Sequence, residues 1–256
     1  MTPFLEVSGV SKRFGGVQAV SDVSFTLRRG AIKAVIGPNG AGKTTLFNMV
    51  SGFSTPDRGA ITFAGRPIHG LQPHEVAARG ISRTFQNIRL FARMTALENV
   101  MVGRHLRSRA GFLAGLLDLS WSRREAAAVR AAALEVMAFL GIEGLADAEA
   151  TSLAYGQQRA VELARALAAG PELVLLDEPA AGLNMRETRD LARLITRVRD
   201  QGATVLLVEH DMSLVMEICD EVLVLASGEK IAEADPGTVQ RDPQVIKVYL
   251  GEEEAC

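Results

Sequence analysis

The sequence predicts an α/β fold with an antiparallel β layer near its N-terminus and an α-helical insertion in its middle. Apolar and polar residues alternate within 5–27, which is typical of half-buried antiparallel strands. Unbroken apolar runs at 173–176 and 204–208 indicate parallel strands that are buried on both faces. Residues 95–170 are rich in Ala, Leu and Arg, which favours helices between these two regions.

The strongest local motif is a glycine-rich loop between a predicted strand and a predicted helix. It matches the pattern G-x-x-x-x-G-K-[ST] with Gly37, Pro38, Asn39, Gly40, Ala41, Gly42, Lys43 and Thr44. Glycines let such a loop turn successive N–H groups inward, and the following helix adds the positive end of its dipole. Lys43 supplies a charge for terminal phosphates, and the Thr44 hydroxyl is a ligand for Mg²⁺. The motif therefore predicts a phosphate-binding loop; a glycine-rich turn without a ligand is the alternative.

Further elements are predicted from turn residues and periodicity. Pro73 is placed to begin a helix that ends near Gly80, and residues 81–85 are expected to form a strand that leads to Gln86. Apolar residues recur at helical spacing over 122–140, which predicts an amphipathic helix. The other expected elements are the strand 60–63, the helix 185–201, a hairpin of 221–226 with 230–234, and short helices after Pro236.

Polar residues follow both buried runs. Asp177 and Glu178 end the first run, and His210 follows the second, at the edge where open α/β sheets place their ligand chemistry. A capping role for Glu178 and a structural role for His210 are the alternatives. Phe14 lies in a predicted turn at 12–16, where an aromatic residue taken by itself is most often a core residue.

The composition excludes several classes of protein. The 256 residues carry a net charge of −2, which gives no reason to expect nucleic-acid binding. Two cysteines do not make a disulfide framework, so a reducing compartment fits best. No stretch approaches the ~20 apolar residues that span a bilayer, and we expect a cytoplasmic protein. The apolar segment 110–121 is expected either at an interface or over the core.

Four motifs stand in a fixed order along the chain. They are the phosphate-binding loop, Gln86, the stretch Leu153-Ala154-Tyr155-Gly156-Gln157-Gln158-Arg159, and the strand that ends in Asp177 and Glu178 with His210 after it. This order resembles the ATP-binding-cassette (ABC) ATPases over essentially the whole chain. Within that family the sequence is most similar to the ATPase subunits of branched-chain amino-acid importers, on the stretches 83–91, 178–184 and 248–251.

The resemblance implies a single ABC ATPase domain built on a P-loop NTPase core of the RecA-like type. Residues 1–86 and 171–235 would form this core together with its antiparallel β layer. Residues 87–170 would form a helical subdomain that carries the signature motif, and residues 236–256 a helical C-terminal tail.

The resemblance also implies ATP and Mg²⁺ as cofactors and gives each motif a role in ATP hydrolysis. Glu178 would deprotonate the attacking water, His210 would contact the γ-phosphate, and Gln86 would connect this site to the helical subdomain. The Mg²⁺ ligands would be Thr44, Gln86 and Asp177. The nucleotide would be held by Phe14, which stacks on adenine, by Gly37, Pro38, Asn39, Gly40, Ala41, Gly42, Lys43, Thr44 and Thr45, and from the opposite subunit by Ala154, Tyr155, Gly156 and Gln157.

Three positions depart from the family pattern. Ala154 and Tyr155 replace the usual serine and first glycine of the signature, and Asn184 replaces an aspartate that communicates between the two sites. The missing serine hydroxyl corresponds to one lost hydrogen bond, about 1 kcal/mol. An ATP-gated regulatory or assembly module with weak turnover is therefore an alternative to a transport ATPase.

The partners follow from the same resemblance. A second ATPase subunit would complete a head-to-tail dimer, two transmembrane permease subunits would bind it, and a periplasmic or surface substrate-binding protein would act indirectly. No nucleic acid is expected. The chain would lie on the cytoplasmic face of the membrane and power the import of branched-chain or other hydrophobic amino acids. Lipid export is the alternative cargo, because the cargo site would lie on other polypeptides.

Overall fold

The computed structural model of the protein describes residues 3–104 and 120–250. Its contacts divide the chain into an α/β unit, Met1–Arg83 with Glu172–Cys256, and a helical unit, Thr84–Pro171. By these contacts residues 84–86 and Pro171 group with the helical unit, whereas the sequence predicted them as part of the core. The combination of two sheets with flanking helices confirms the predicted α/β fold class.

The α/β unit contains a four-stranded antiparallel sheet, the predicted β layer. Its strands are β1 Leu5–Phe14, β2 Val17–Leu27, β4 Arg58–Phe63 and β5 Arg66–Pro67. They lie in the order β2-β1-β4-β5, and each neighbouring pair is antiparallel. Along β2 the side chains of Val23, Phe25 and Leu27 are buried, and the residues between them are exposed. The alternating pattern thus packs one face of this sheet against the core.

The second sheet of the α/β unit has six strands. They are β3 Ile32–Ile36, β6 Ile81–Arg83, β7 Leu173–Asp177, β8 Thr204–Val208, β9 Glu221–Ala226 and β10 Glu229–Ala234. Their order is β10-β9-β3-β8-β7-β6, with parallel pairs throughout except for β9 with β10. Every residue of β3, β7 and β8 is buried, which confirms the interpretation of the unbroken apolar runs.

Helices pack around the six-stranded sheet, and several of them begin at a side-chain cap or a proline. They are α1 Lys43–Val50, α2 Pro73–Ala78, α6 Met185–Asp200, α7 Met212–Ile218, α8 Pro236–Val239 and α9 Pro243–Leu250. Pro73 stands at the first position of α2, as predicted. Asn184 caps α6, because its side-chain oxygen accepts hydrogen bonds from the amides of Arg186 and Glu187.

Within 84–104 and 120–171, the described part of the helical unit, the chain forms three α-helices and two short 3₁₀ turns. These are α3 Ala96–Gly103, α4 Ser120–Leu140 and α5 Tyr155–Ala168, with turns at Glu143–Leu145 and Ala150–Ser152. The amphipathic helix is confirmed: α4 buries Ala133, Met137 and Leu140 and begins two residues before the predicted start. Most of the apolar segment 110–121 falls within 105–119, which lies outside the described residues.

One local expectation is wrong. The expected strand 81–85 ends at Arg83, because the carbonyls of Phe85 and Gln86 accept hydrogen bonds from Arg159 instead of from a neighbouring strand. Phe14 is the last residue of β1 and is 53% exposed, which excludes the alternative of a core residue. Within 3–104 and 120–250, no helix has both the length and the apolar character needed to cross a membrane.

Candidate active site

The glycine-rich loop joins β3 to α1 in a conformation that only glycine allows at two positions. Gly37 has φ 145° and Gly42 has φ 99°, both in the region that L-residues rarely adopt. A Cβ atom on Gly37 would lie 2.0 Å from the Leu225 carbonyl oxygen, and one on Gly42 would lie 2.4 Å from that of Ala19. The close packing of the loop against β9 and β2 therefore requires these glycines.

The loop and α1 present positive charge. The Lys43 ammonium group is mostly buried and donates hydrogen bonds to the carbonyl oxygens of Gly37 at 2.5 Å and Pro38 at 2.8 Å. The N-cap of α1 is Gly42, which has no side chain to occupy the N-terminal amides, and the first turn of α1 contains no acid. Thr44 follows as an exposed hydroxyl. A lysine ammonium at the positive end of a helix dipole fits the phosphates of a nucleotide.

Three adjacent strands of the six-stranded sheet deliver the glycine-rich loop, the acids Asp177 and Glu178, and His210 to the same edge. Val208 at the end of β8 is paired with Val35 of β3 on one side and with Asp177 of β7 on the other. The glycine-rich loop, the acids after β7 and His210 after β8 therefore emerge side by side from the carboxyl ends of parallel strands. The Glu178 amide donates a hydrogen bond to the Val208 carbonyl at 3.0 Å. This bond connects the loop that begins at Glu178 to the end of β8, which leads to His210.

Glu178 has a strained backbone. Its φ is 48°, in the left-handed region, and it is one of four non-glycine residues with positive φ among those described. Such a conformation persists only where the surroundings enforce it, and it is common in active sites. Glu178 is half-buried, which suits a side chain that must both reach a ligand and exchange a proton.

Glu209 holds the loop that carries His210, and the sequence analysis gave it no role. This fully buried carboxylate accepts hydrogen bonds from the amides of Ala180 at 2.8 Å, His210 at 3.0 Å and Asp211 at 3.2 Å. It thereby joins the loop after Glu178 to the loop after β8. The His210 ring is 64% exposed, and its Nδ1 lies 3.9 Å from the carboxylate. The signal available in the sequence was an acid placed directly after a buried strand.

Asp177 ends β7 with a buried carboxylate that is paired with Arg83 at 2.8 Å. Oxygen donors such as this carboxylate and the Thr44 hydroxyl are the ligands that Mg²⁺ prefers. Within 3–104 and 120–250, no group of three or more His, Cys, Asp or Glu side chains could hold a metal ion. Asp177 and Thr44 thus supply oxygen donors of the kind that Mg²⁺ takes up together with phosphate oxygens.

Gln86 and the signature residues lie in the helical unit, where Arg159 contacts the backbone of the Gln86 loop and the Tyr155 side chain. Gln86 is exposed in the loop that follows β6, and its carbonyl accepts a hydrogen bond from Arg159 at 2.6 Å. The same guanidinium donates to the Phe85 carbonyl at 3.0 Å and to the Tyr155 hydroxyl at 3.0 Å. One side chain of α5 therefore holds both the Gln86 loop and the aromatic residue of the signature motif.

A buried carboxylate completes this arginine cluster. Glu162 is 2% exposed and pairs with Arg159 at 3.3 Å and with Arg165 at 3.8 Å. Burial raises the pKa of the Glu162 carboxyl group above its usual range, although the Arg89 amide and both arginines act in the opposite direction. Burial likewise lowers the pKa of the Arg165 guanidinium, which donates to the Arg89 carbonyl at 2.5 Å.

The signature residues form the N-terminus of α5. Ala154 is the N-cap in an extended conformation, and its amide donates to the Gln157 side-chain oxygen at 3.0 Å. No acid occurs in the first turn of α5, so the positive end of its dipole is not neutralised there. The Tyr155 ring is partly exposed beside it. The α5 N-terminus is therefore suited to an anionic group, as the resemblance requires of Ala154 to Gln157.

Phe14 lies at the end of β1 with the Lys12 ammonium group 5.6 Å from its ring centroid. A surface cavity of about 570 Å³ lies nearby in the β layer, lined by Gly9, Ser11, Arg13, Gln18, Ser21, Asp22, Asp57 and Arg58. The Lys12 ammonium and the Arg13 amide lower the pKa of the Asp57 carboxyl group at its rim. The cavity contains none of the residues expected to bind phosphate or metal.

Comparison with known proteins decides the family. Residues 20–181 match the model of the ABC transporter ATP-binding family, and residues 229–255 match that of the branched-chain amino acid ATP-binding cassette transporters. The chain belongs to the ABC transporter family. As a cassette of this family it is an ATPase that binds ATP, which confirms the resemblance stated from the motifs.

Relatives cover this ABC ATPase over nearly its whole length. It is 45% identical to the "High-affinity branched-chain amino acid transport ATP-binding protein BraF" of Pseudomonas aeruginosa, over 98% of each chain. It is 44% identical to the corresponding protein LivG of Salmonella typhimurium, again over 98% of each chain. The lipopolysaccharide export ATP-binding protein LptB of Haemophilus influenzae is 36% identical over 97% of this chain and 98% of its own.

Solved structures of cassettes have the same fold. The ADP conformation of MJ1267, an ATP-binding cassette of an ABC transporter, superposes with a TM-score of 0.86 at 32% identity, covering 98% of this chain and all of the other. A dimeric, post-hydrolysis cassette, MJ0796 bound to ADP and Pi, gives 0.76 at 25% identity over 91% of this chain and 98% of its own. Nucleotide binding and cassette dimers are thus properties of proteins with this fold.

Proposed function

We propose that this ABC ATPase powers a membrane importer for branched-chain or other hydrophobic amino acids. The observation that carries this cargo class is the 44–45% identity, over 98% of both chains, to proteins named for branched-chain amino acid transport. The match of residues 229–255 to the family model of that name supports the same cargo. The cargo itself would bind to other polypeptides, so it follows from similarity and not from a pocket in this chain.

Hydrolysis would take place at the shared strand edge of the α/β unit. Lys43 and the amides of its loop would hold the β- and γ-phosphates, and the exposed Phe14 ring would stack on the adenine. Thr44, Asp177 and Gln86 would hold Mg²⁺, which when bound neutralises charge on the phosphates. Glu178 would take the proton of the attacking water.

His210 would complete the site as a hydrogen-bond donor to the γ-phosphate. Its ring is exposed at the strand edge, while Glu209 fixes the backbone beneath it. This arrangement supplies positioning and charge, which phosphoryl transfer needs more than covalent catalysis. The same three-amide contact of Glu209 would keep His210 and the loop after Glu178 in register during turnover.

The active form would be a head-to-tail dimer with an identical or related subunit. The N-terminus of α5, with Ala154, Tyr155, Gly156 and Gln157, would face the γ-phosphate of the partner's ATP and offer amides and a helix dipole to it. The dimeric MJ0796 cassette supports this assembly by similarity. The pair would sit on the cytoplasmic face of the membrane, bound to two permease subunits that receive cargo from a periplasmic or surface binding protein.

The role of Glu178 is tested by the isosteric change Glu178→Gln. Loss of a positioned general base is expected to lower kcat by about a hundredfold or more while ATP binding is retained. Glu217→Gln changes an exposed acid of α7 and should turn over at the parental rate. A Glu178→Gln protein that hydrolyses ATP at the parental rate would exclude this mechanism.

The cargo is tested in proteoliposomes that contain the chain with the permease and binding proteins that co-purify with it. ATP-dependent uptake of labelled leucine, isoleucine or valine is expected, with no uptake when Glu178→Gln replaces the parent. ATP-dependent removal of a lipid from the bilayer, without amino-acid uptake, would instead favour the export function of the LptB relative.

A regulatory module with weak turnover is the second candidate, because Ala154 and Asn184 depart from the family pattern. Two contacts speak against a lost function at these positions. The Gln157 side chain caps the Ala154 amide, and Asn184 caps α6 through two backbone amides. Steady-state ATPase activity measured with the permease present separates the candidates, since a regulatory module would show no stimulation.

A further inference from the structure

Arg83 contacts the candidate metal ligand Asp177, although no role in the site was expected for it from the sequence. It is the last residue of β6, and its Nη2 donates to the Asp177 Oδ2 at 2.8 Å. Its Nη1 donates to the Asn48 Oδ1 at 2.7 Å and to the Ser51 Oγ at 2.8 Å. Both side chains of the ion pair are 7% exposed. One planar guanidinium therefore joins three polar groups in a site with little water.

The guanidinium is also held by aromatic rings. Its carbon lies 5.8 Å from the ring centroid of Phe47 and 5.7 Å from that of Phe53. Rings at this distance favour a cation and restrict the plane of the fork. A lysine at this position would keep the charge but could not make the forked contacts, so the geometry is specific to arginine.

The two groups that share Arg83 with Asp177 belong to the helix after the phosphate loop. Asn48 lies within α1, which starts at Lys43, and Ser51 is its C-cap. The Ser51 hydroxyl in turn donates to the Phe47 carbonyl at 2.6 Å, which fixes its own orientation. Arg83 thus fastens the carboxylate at the end of β7 to the helix that carries Lys43 and Thr44.

A purely stabilising role explains this arrangement poorly. Buried ion pairs contribute little net stability, because desolvation opposes the attraction. Here the acid is the one carboxylate at the strand edge to which the proposed mechanism assigns Mg²⁺. A carboxylate offers about four lone-pair sites, so an arginine on Oδ2 is compatible with a further ligand on the same group.

We propose that Arg83 is a positioning residue that orients the Asp177 carboxylate for the nucleotide-bound Mg²⁺. It acts through Asp177 and touches neither nucleotide nor metal. The proposal rests on the proposed assignment of Mg²⁺ to Asp177. Outer-shell partners of metal-binding carboxylates typically change metal affinity by about 10–100-fold when removed.

The test measures binding of a fluorescent ATP analogue in EDTA and then as Mg²⁺ is added. Arg83→Gln should bind the analogue in EDTA within about twofold of the parent, because the loop and Lys43 are intact, and should need about tenfold more Mg²⁺ for half-saturation. The Mg²⁺ requirement of Arg83→Lys should lie between those of the parent and Arg83→Gln, since lysine keeps the charge but lacks the forked guanidinium. Arg79→Gln, an exposed arginine at the end of α2, is the matched control and should behave as the parent.

A double-mutant cycle with Asp177→Asn separates positioning from general stabilisation. If Arg83 acts through Asp177, adding Arg83→Gln to Asp177→Asn should not raise the Mg²⁺ requirement further. Additive effects, or an unchanged Mg²⁺ requirement in folded Arg83→Gln, would overturn the proposal. If Asp177→Asn itself leaves the Mg²⁺ requirement unchanged, the metal assignment fails instead.

The acceptors of Arg83 in and after α1, Asn48 and Ser51, provide variants that leave Arg83 unchanged. Ser51→Ala and Asn48→Ala each remove one acceptor of the guanidinium and should raise the Mg²⁺ requirement by about two- to fivefold without changing binding in EDTA. These variants decide the matter if Arg83→Gln does not fold. Parental Mg²⁺ dependence in both, and in Arg83→Lys, would contradict a positioning role.

Discussion

Each unit of this ATPase contains a buried arginine–carboxylate pair, and the two pairs differ in what else the arginine holds. In the α/β unit Arg83 pairs with Asp177 at 2.8 Å, and two of its other acceptors are the side chains of Asn48 and Ser51 in and after the phosphate-loop helix. In the helical unit Arg159 pairs with Glu162 at 3.3 Å, and two of its other acceptors are backbone carbonyls of Phe85 and Gln86. The first pair orients a carboxylate, and the second fixes the path of a loop.

This difference shows that a buried arginine–carboxylate pair can support either a ligand site or the local fold, depending on the groups that surround it. Asp177 stands at a strand edge next to the phosphate loop, where a metal could share it. Glu162 is enclosed by two arginines and one amide inside the helical unit. We therefore expect changes at the first pair to appear in Mg²⁺ dependence and changes at the second to appear in folding stability.

The largest expected effect on stability comes from Arg159→Met. This change leaves Glu162 buried with only the longer Arg165 contact and removes the donors to two loop carbonyls. A cost of about 3–5 kcal/mol in the free energy of unfolding is expected, measured by urea denaturation. Arg193→Met is the control, since the Arg193–Asp190 pair is 74% and 57% exposed and should contribute less than about 1 kcal/mol. Equal effects of the two changes would contradict an architectural role for Arg159.

A smaller, pH-dependent effect is expected from Glu162→Gln. Folding raises the pKa of Glu162 through burial, so this carboxyl group stabilises the fold most below the ordinary glutamate range. The contribution is lost as the pH rises through the raised pKa. Glutamine does not titrate, so the stability of the variant relative to the parent should rise as the pH increases from acid to neutral.

Urea denaturation of both proteins between acid and neutral pH measures this difference. The sign is the discriminating feature. A variant that loses stability relative to the parent as the pH rises would show that Arg159 and Arg165 more than offset the burial of the Glu162 charge. In that case the ionised Glu162 pair would contribute net stability, and the contrast drawn between the two units would not hold.

The smallest expected effect comes from Tyr155→Phe. The change removes one hydroxyl, which lies 3.0 Å from Arg159, while the ring keeps its position 5.4 Å from the guanidinium. A cost of about 0.5 kcal/mol is expected because the tyrosine is partly exposed. In an Arg159→Met background the same change should cost nothing. If Tyr155→Phe still costs about 0.5 kcal/mol in the Arg159→Met background, the Tyr155 hydroxyl must gain its stabilising contact from a group other than Arg159.

Apolar patterns predicted most of the fold, because the spacing of buried residues along the chain differs between helices and strands. The runs at 173–176 and 204–208 form strands that are buried at every residue. Pro73 begins its helix at the first position, where the lack of an amide hydrogen costs no hydrogen bond. The phosphate loop was predicted from its own spacing. These features are local, so a window of a few residues contains their cause.

The polar contacts of the site could not be predicted in the same way, because their partners are distant in the sequence. Arg83 was predicted as one residue of a strand, but three of its acceptors stand 32, 35 and 94 residues away. Glu209 similarly reaches the Ala180 amide 29 residues earlier. The exposure of Phe14 depends on how β1 ends, which its neighbours in sequence do not determine.

The left-handed backbone of Glu178 has a consequence for the evolution of stability. An L-residue in this region costs about 1–2 kcal/mol, whereas glycine adopts it without penalty. The position therefore imposes opposing demands, since the turn favours the absence of a side chain and the proposed mechanism requires a carboxylate. A chain selected only for robustness would drift towards glycine here, so under that mechanism the strain marks a place where turnover is kept at the expense of thermal tolerance.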